Sequence, residues 1–180
     1  GDTGSAVANG FLGIEGIKVI VLFPKGKISK IQEKQITTLG DNILPIEIEG
    51  NFDDCQRLVK AAFVDSEIKS EVRLSSANSI NIGRLIPQSF YYFEGFKQII
   101  NREKVVFSVP SGNLGNLTAG LIAMKMGLPV FRFIAATNAN DVFTKYLDNG
   151  NFTPKDSKLT LSNAMDVGNP SNFVRIQDLF

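Results

Sequence analysis

Residues 105–127 read VVFSVPSGNLGNLTAGLIAMKMG, and the order of elements in this stretch decides the fold class. Val105–Val109 is a short β-branched run, the length of a buried strand and too short for a helix. The loop Pro110–Asn116 carries Gly112 and Gly115, which allow backbone conformations closed to other residues. Leu117–Met126 then reads as an apolar helix, stopped by Gly127 and Pro129 ahead of a second strand over 130–135. Strand, tight loop, helix and strand make the repeating unit of a parallel sheet with right-handed crossovers.

The same alternation runs outward in both directions. Upstream lie a short helix over 5–12, a strand over 17–23 ended by Pro24-Lys25-Gly26, a helix over 29–39 and a strand over 43–48. Ser29 is the N-cap of that helix and Gly40 its stop. Asn51 caps the next helix, with Asp53 and Asp54 in the first turn, where the dipole favours anions. Phe52, Cys55, Leu58, Val59, Ala62 and Phe63 recur there at helical spacing as one apolar stripe. A short strand is expected over 72–75, then a long helix over 84–101 with Pro87 in its first turn. The expected stripe of that helix is Ile86, Phe90, Phe93, Phe96 or Lys97, and Ile100. Downstream come a helix over 141–147, a turn-rich stretch over 150–161 and a helical tail from Pro170. Together these predict an α/β fold, an open, twisted, mostly parallel sheet arrangement flanked by helices in three layers, αβα.

Composition removes several classes of function. The 180 residues fit one domain or two small ones, and 43% hydrophobic with 21% charged residues is globular composition. Nineteen basic against eighteen acidic residues leave a charge of +1, which is no chain-wide footprint for nucleic acid. Histidine is absent, so there is no Ser-His-Asp triad, no imidazole base and no His-ligated zinc. Cys55 is the sole cysteine, which excludes an internal disulfide and a paired-cysteine metal site. It reads as a small core residue in a reducing, cytoplasmic setting. No apolar run approaches the roughly 20 residues of a membrane helix. Proton transfers would fall to Lys, Asp, Glu, Tyr, Cys55 or a cofactor. The chain begins at Gly1 without Met and stops after the apolar pair Leu179-Phe180, so an internal piece of a longer protein, truncated at both ends, is expected.

Three polar segments could carry chemistry. Ser111-Gly112-Asn113-Leu114-Gly115-Asn116 joins a strand to a helix, where free N–H groups and the positive dipole end receive phosphate. No Gly-Lys-Ser/Thr follows, so it is not a Walker loop, and no G-x-G-x-x-G makes it a dinucleotide fingerprint. Its other reading is an ordinary tight turn. Gly1-Asp2-Thr3-Gly4-Ser5 opens a helix, as a cap or as a cradle for a carboxylate. Asn78, Ser79, Asn81 and Arg84 form a polar cluster suited to an oxyanion, or a turn with the N-cap of the long helix. The run 163–172 is rich in turn formers and reads as a structured loop into the last helix, and Lys25 with Lys27 as a solvated turn.

Five stretches, GDTGSAVA at 1–8, PKGKISKIQEKQITTLG at 24–40, NSINIGRLIPQ at 78–88, VPSGNLGNLTAG at 109–120 and SNAMDVGNPSNF at 162–173, occur in one order along nearly the whole chain. This ordered set resembles the threonine synthase family, in its bacterial and fungal branch. The resemblance implies a pyridoxal-phosphate enzyme of fold type II that converts O-phospho-L-homoserine and water to L-threonine and phosphate. It implies that backbone amides of Gly112, Asn113, Leu114, Gly115 and Asn116 hold the phosphate of pyridoxal 5'-phosphate. Asp2, Thr3 and Gly4 match the helix-opening loop near the substrate carboxylate and the cofactor ring. Asn78, Ser79, Asn81 and Arg84 would lie close to the active site, with contact to the substrate phosphate expected. The division implied is a small domain over 1–86 and part of the large cofactor-binding domain over 87–180. The family's Schiff-base lysine precedes the GDTG segment, and no lysine here has a matching context. No catalytic base is therefore assigned, and the isolated chain is expected to be inactive. Leu114 stands where an aromatic is common, and Val174 where an acid is common. The expected partner is the small-molecule substrate, with no metal, nucleic acid or membrane, and the sequence carries no oligomeric state. Two other readings stand beside this one: a related pyridoxal-phosphate lyase (a threonine-synthase-like phospho-lyase or a serine/threonine dehydratase), and a non-catalytic phosphate-ligand-binding α/β module.

Overall fold

The structure is a computed structural model and describes residues 2–79 and 81–180. Gly1 of the helix-opening motif and Ile80 of the NSIN motif lie outside the described residues. The chain forms two compact units, the first ending at Ser75 and the second spanning Ser76–Phe180.

The first unit runs α1 (Asp2–Phe11), β1 (Val19–Pro24), α2 (Lys30–Thr37), β2 (Ile43–Ile48), α3 (Phe52–Val64) and α4 (Ser66–Glu71). β1 and β2 pair in parallel, from Val19 opposite Ile43 to Pro24 opposite Ile48, with α2 in the connection between them. Apolar side chains on the inner side of both strands meet the helices in a core of Ala8, Val21, Phe23, Ile36 and Ile43. At Gly4 an added Cβ would lie 3.0 Å from Val21 Cγ1, so this glycine lets α1 run close over β1. Ser29 and Gln32 close a capping box on α2, and Asn51 and Asp54 close one on α3, as their spacing predicts. Cys55 is buried, as expected of a core residue, whereas Leu58 of the same stripe is 39% exposed. The strand expected over 72–75 does not form. Residues 66–71 make α4 instead, capped by Asp65. Residues 72–75 follow without a strand beside them among the described residues, and an extended segment without a partner is not a sheet.

The second unit runs α5 (Ile82–Lys97), β3 (Val106–Pro110), α6 (Gly115–Lys125), β4 (Arg132–Ala136), α7 (Val142–Asn149), a 3-10 turn over Asn163–Met165 and α8 (Phe173–Leu179). β3 and β4 are parallel, from Val106 opposite Arg132 to Pro110 opposite Ala136, joined through α6. Leu85, Tyr92, Val109, Leu117, Ala123, Phe143 and Phe173 lie in one buried cluster. Tyr92 sits edge-on to Phe107 and Phe133, at centroid distances of 5.1 and 5.6 Å. Gly120 makes this possible, since a Cβ there would come within 2.6 Å of Phe133 and 2.7 Å of Tyr92.

α5 differs from expectation in start and phase. Asn81 caps it through Gly83 N–H (2.9 Å), so Pro87 falls in the second turn. The buried face is Leu85, Ser89 and Tyr92, while Ile86 and Phe90 are 50% and 58% exposed and Ile100 lies beyond the helix in solvent. Phe93 and Phe96 flank the core. Leu85 and Tyr92, on the same face as the fully buried Ser89, meet α6 at Gly115 and Gly120, a helix–helix contact that a stripe phased on the large aromatics overlooks.

Candidate phosphate-binding site

β3 ends where Ser111 N–H donates to Ala136 O (2.8 Å), and the chain then turns through glycine. A Cβ on Gly112 would lie 2.7 Å from Met165 Cα, so only glycine fits against that backbone. Leu114 takes the left-handed conformation (φ 60°), unusual for a leucine. Its side chain is nevertheless buried in the core, and that burial offsets the backbone cost. The turn delivers the chain into α6 with no side-chain cap and no acid in the first turn. The opening N–H groups of a helix have no intrahelical acceptor, and they carry the positive end of the dipole. An uncapped, acid-free helix end at the carboxyl end of a parallel strand suits a phosphate.

Asn113 fastens this loop to two distant segments. Its Nδ2 donates to Ser79 Oγ (2.6 Å), and its Oδ1 accepts from Ser171 N–H (2.6 Å) and Ser171 Oγ (3.0 Å). Asn172, fully buried, donates from Nδ2 to Asn113 O (3.0 Å). Ser79 Oγ in turn donates to Asn78 Oδ1 (3.1 Å). The Asn116 side chain is likewise engaged. The Tyr92 hydroxyl is shared between Asn116 Oδ1 (2.6 Å) and Asn116 O (2.8 Å), and Asn116 Nδ2 donates to Gln88 Oε1 (3.3 Å). Burial pushes the Tyr92 phenol well above its ordinary value, so it remains a donor. At Gly115 a Cβ would meet Ser79 Cβ at 3.1 Å. With both amides committed to the scaffold, what the loop offers a ligand is backbone N–H.

The remaining sequence candidates divide. Asn78 and Ser79 join the loop's network. Asn81 donates to Ser76 O (2.7 Å) while capping α5, and Arg84 donates to Ala77 O, so these two act as the turn-and-cap reading expects. Through Ser79 the stretch 76–84 bonds to the loop, and both lie in the second compact unit, which begins at Ser76. Asp2, Thr3 and Gly4 belong to the first unit. Asp2 opens α1, its Oδ1 accepting from Gln32 Nε2 (2.7 Å), and Thr3 is exposed. Met165, Ser171, Asn172, Tyr92 and Gln88 join the site without standing out as candidates in the sequence. The turn-former run 163–172 was the available clue to the first three, whereas Tyr92 and Gln88 look like ordinary helix residues. No group of acidic or cysteine side chains among the described residues could hold a metal ion, and no helix there is long and apolar enough to cross a membrane.

Fold and site together define a class, an α/β protein with a bare helix N-terminus at the carboxyl end of a parallel strand. No protein-family model matches the chain. Over its whole length it is similar to threonine synthases. It is 55% identical to that of Escherichia coli and 57% identical to that of Haemophilus influenzae, covering 100% of this chain and 42% and 43% of the two relatives. The crystal structure of the Escherichia coli enzyme superposes with a TM-score of 0.96, so the chain has that fold. The PLP-bound threonine synthase of Brucella melitensis matches with a TM-score of 0.81 at 41% identity, over 98% of this chain and 38% of that one. The chain thus spans about two fifths of the length of the relatives it matches.

Proposed function

We propose that this chain is a segment of a cytoplasmic, pyridoxal-phosphate-dependent threonine synthase that turns O-phospho-L-homoserine and water into L-threonine and phosphate. The observation that carries the cofactor assignment is the bare start of α6, locked by Asn113 and Asn116 yet carrying no cap and no acid of its own. Its donor set fits a phosphate: backbone N–H groups from Gly112 to Asn116, with glycines where a Cβ would collide at 112 and crowd Ser79 at 115. When bound, pyridoxal phosphate serves as an electron sink for carbanions of an amino-acid substrate.

This chain's residues bind and orient. The Gly112–Asn116 amides take the phosphate end of the cofactor, and the tethered Asn113 fixes their direction. Tyr92, protonated and buried, holds Asn116 and with it the first turn of α6. Asn78, Ser79, Asn81 and Arg84 stand as the proposed neighbours of the substrate phosphate, with Ser79 the direct link to the loop. Asp2, Thr3 and Gly4 are proposed to face the substrate carboxylate through the start of α1. The domains proposed for the enzyme are a small one over 1–86 and part of a large one over 87–180.

The test is to express the full open reading frame and assay threonine and phosphate release from O-phospho-L-homoserine with and without pyridoxal phosphate. Cofactor-dependent release of both is the expected result. Phosphate without threonine would replace the reading with a sister lyase, and neither product would overturn it. The isolated 180 residues, lacking a lysine in a matching context, should form no threonine.

A further inference from the structure

The Asp166 carboxylate gathers hydrogen-bond donors from two stretches of chain. Oδ1 accepts from Asn138 Nδ2 (2.8 Å), Asn140 Nδ2 (3.1 Å) and Thr160 Oγ1 (2.6 Å), and Oδ2 accepts from Thr160 N–H (2.8 Å). No ion pair among the described residues involves it. In each of these contacts a carboxyl oxygen of Asp166 is the acceptor. Asn138 and Asn140 lie in the loop leaving β4, at the same end of the sheet as the loop leaving β3.

Asp166 also sits within the stretch that supports the phosphate loop. Its neighbour Met165 backs Gly112, and Ser171 and Asn172 hold Asn113. Between them Gly168 O accepts from Lys155 N–H (3.0 Å), where a Cβ on Gly168 would collide with Lys155 O. Residues 163–172 therefore form a bracket fastened at one end by Asp166 and at the other by Asn113. We propose that Asp166 is a positioning residue for the cofactor phosphate loop: it fixes this bracket and through it sets Gly112 and Asn113, without touching the ligand. The proposal rests on the cofactor reading above.

The experiment uses the full-length enzyme and three variants, Asp166→Asn, Asn113→Ala and the double variant. Pyridoxal phosphate affinity is read by absorbance titration, and kcat and KM are read at saturating cofactor. Asp166→Asn keeps the size of the side chain and turns an NH2 toward a donor. It should raise the cofactor Kd about tenfold, the equivalent of one lost hydrogen bond. At saturating cofactor kcat and KM should stay within about twofold, since the residue touches neither substrate nor reacting atoms. The double variant should lose less than the sum of the two single effects, because both act through one bracket. Asp166→Glu, which keeps the acceptors, should recover part of the affinity. An unchanged cofactor Kd in folded Asp166→Asn, or full additivity with Asn113→Ala, would overturn the proposal. A wild-type enzyme that binds no pyridoxal phosphate would instead overturn the cofactor reading on which it stands.

Discussion

α3 and α6 begin in opposite ways. At α3 the chain satisfies its own helix end: Asn51 accepts from Asp54 N–H, Asp54 accepts from Asn51 N–H, and Asp53 adds a second negative charge to the first turn. At α6 the cap position is a left-handed leucine, no side chain reaches back, and the first turn has no acid. The nearby polar side chains of Asn113 and Asn116 face away into the scaffold. A closed end stabilises its helix locally. An open end gives up that local stabilisation and needs support from elsewhere, here from α5, 76–79 and 163–172, and its N–H groups stay free for an anion.

Substitutions can break or sharpen this contrast. The largest loss is expected from Gly112→Ala, whose Cβ meets the Met165 backbone at 2.7 Å. Unfolding of the full-length enzyme should show a destabilisation of about 3 kcal/mol, the upper range for overpacking against backbone. An undiminished midpoint would mean that the bracket yields freely. Asn113→Ala leaves Ser79 and Ser171 without the side chain they bond, while the backbone acceptor of Asn172 stays, and should lower stability by about 2 kcal/mol. It should also weaken cofactor binding, as a paired measurement of melting and cofactor titration would show. Asn51→Ala should cost about 1 kcal/mol through the lost cap and leave cofactor affinity untouched. If it shifted that affinity as much as Asn113→Ala, the two helix ends would not be independent.

The smallest effect is a pH dependence at the closed end. The backbone hydrogen bond from Asn51 and the neighbouring Arg57 hold the Asp54 carboxyl below its ordinary value. A depressed folded pKa contributes stability that is present above the unfolded carboxylate range and lost as pH falls through the folded value. Wild-type stability should therefore decline more steeply below about pH 4 than that of Asp54→Asn. Parallel acid limbs would contradict the carboxylate's part in the cap.

Local rules made much of this architecture readable. Ser29 and Asn51 announced their helices because a cap needs only three residues of sequence to specify. The strands at 43–48 and 106–110 followed from β-branched runs, and the α6 loop from its two glycines. The misreadings depended on distant partners. Val72 and Leu74 look like strand residues, but among the described residues no strand pairs with them to complete a ladder. The buried face of α5 is set by the approach of Leu85 and Tyr92 to Gly115 and Gly120 of α6, which no periodicity in α5 alone encodes. The site was legible as a loop and not as a clamp. The sequence points to the backbone amides of the loop, whereas the side-chain amides of Asn113 and Asn116 bind Ser79, Ser171 and Tyr92, partners that only the folded chain brings within reach.

The open end of α6 is tested most directly by Gly115→Asp. That change adds a negative charge to the first turn and a Cβ 3.1 Å from Ser79 Cβ. The Kd values of pyridoxal phosphate and of pyridoxal, which lacks the phosphate, should be measured on the wild-type full-length enzyme and on this variant. Phosphate binding at α6 predicts that the wild type strongly prefers pyridoxal phosphate and that the variant loses most of that preference. A folded variant that keeps the wild-type preference would contradict it and move the phosphate site elsewhere.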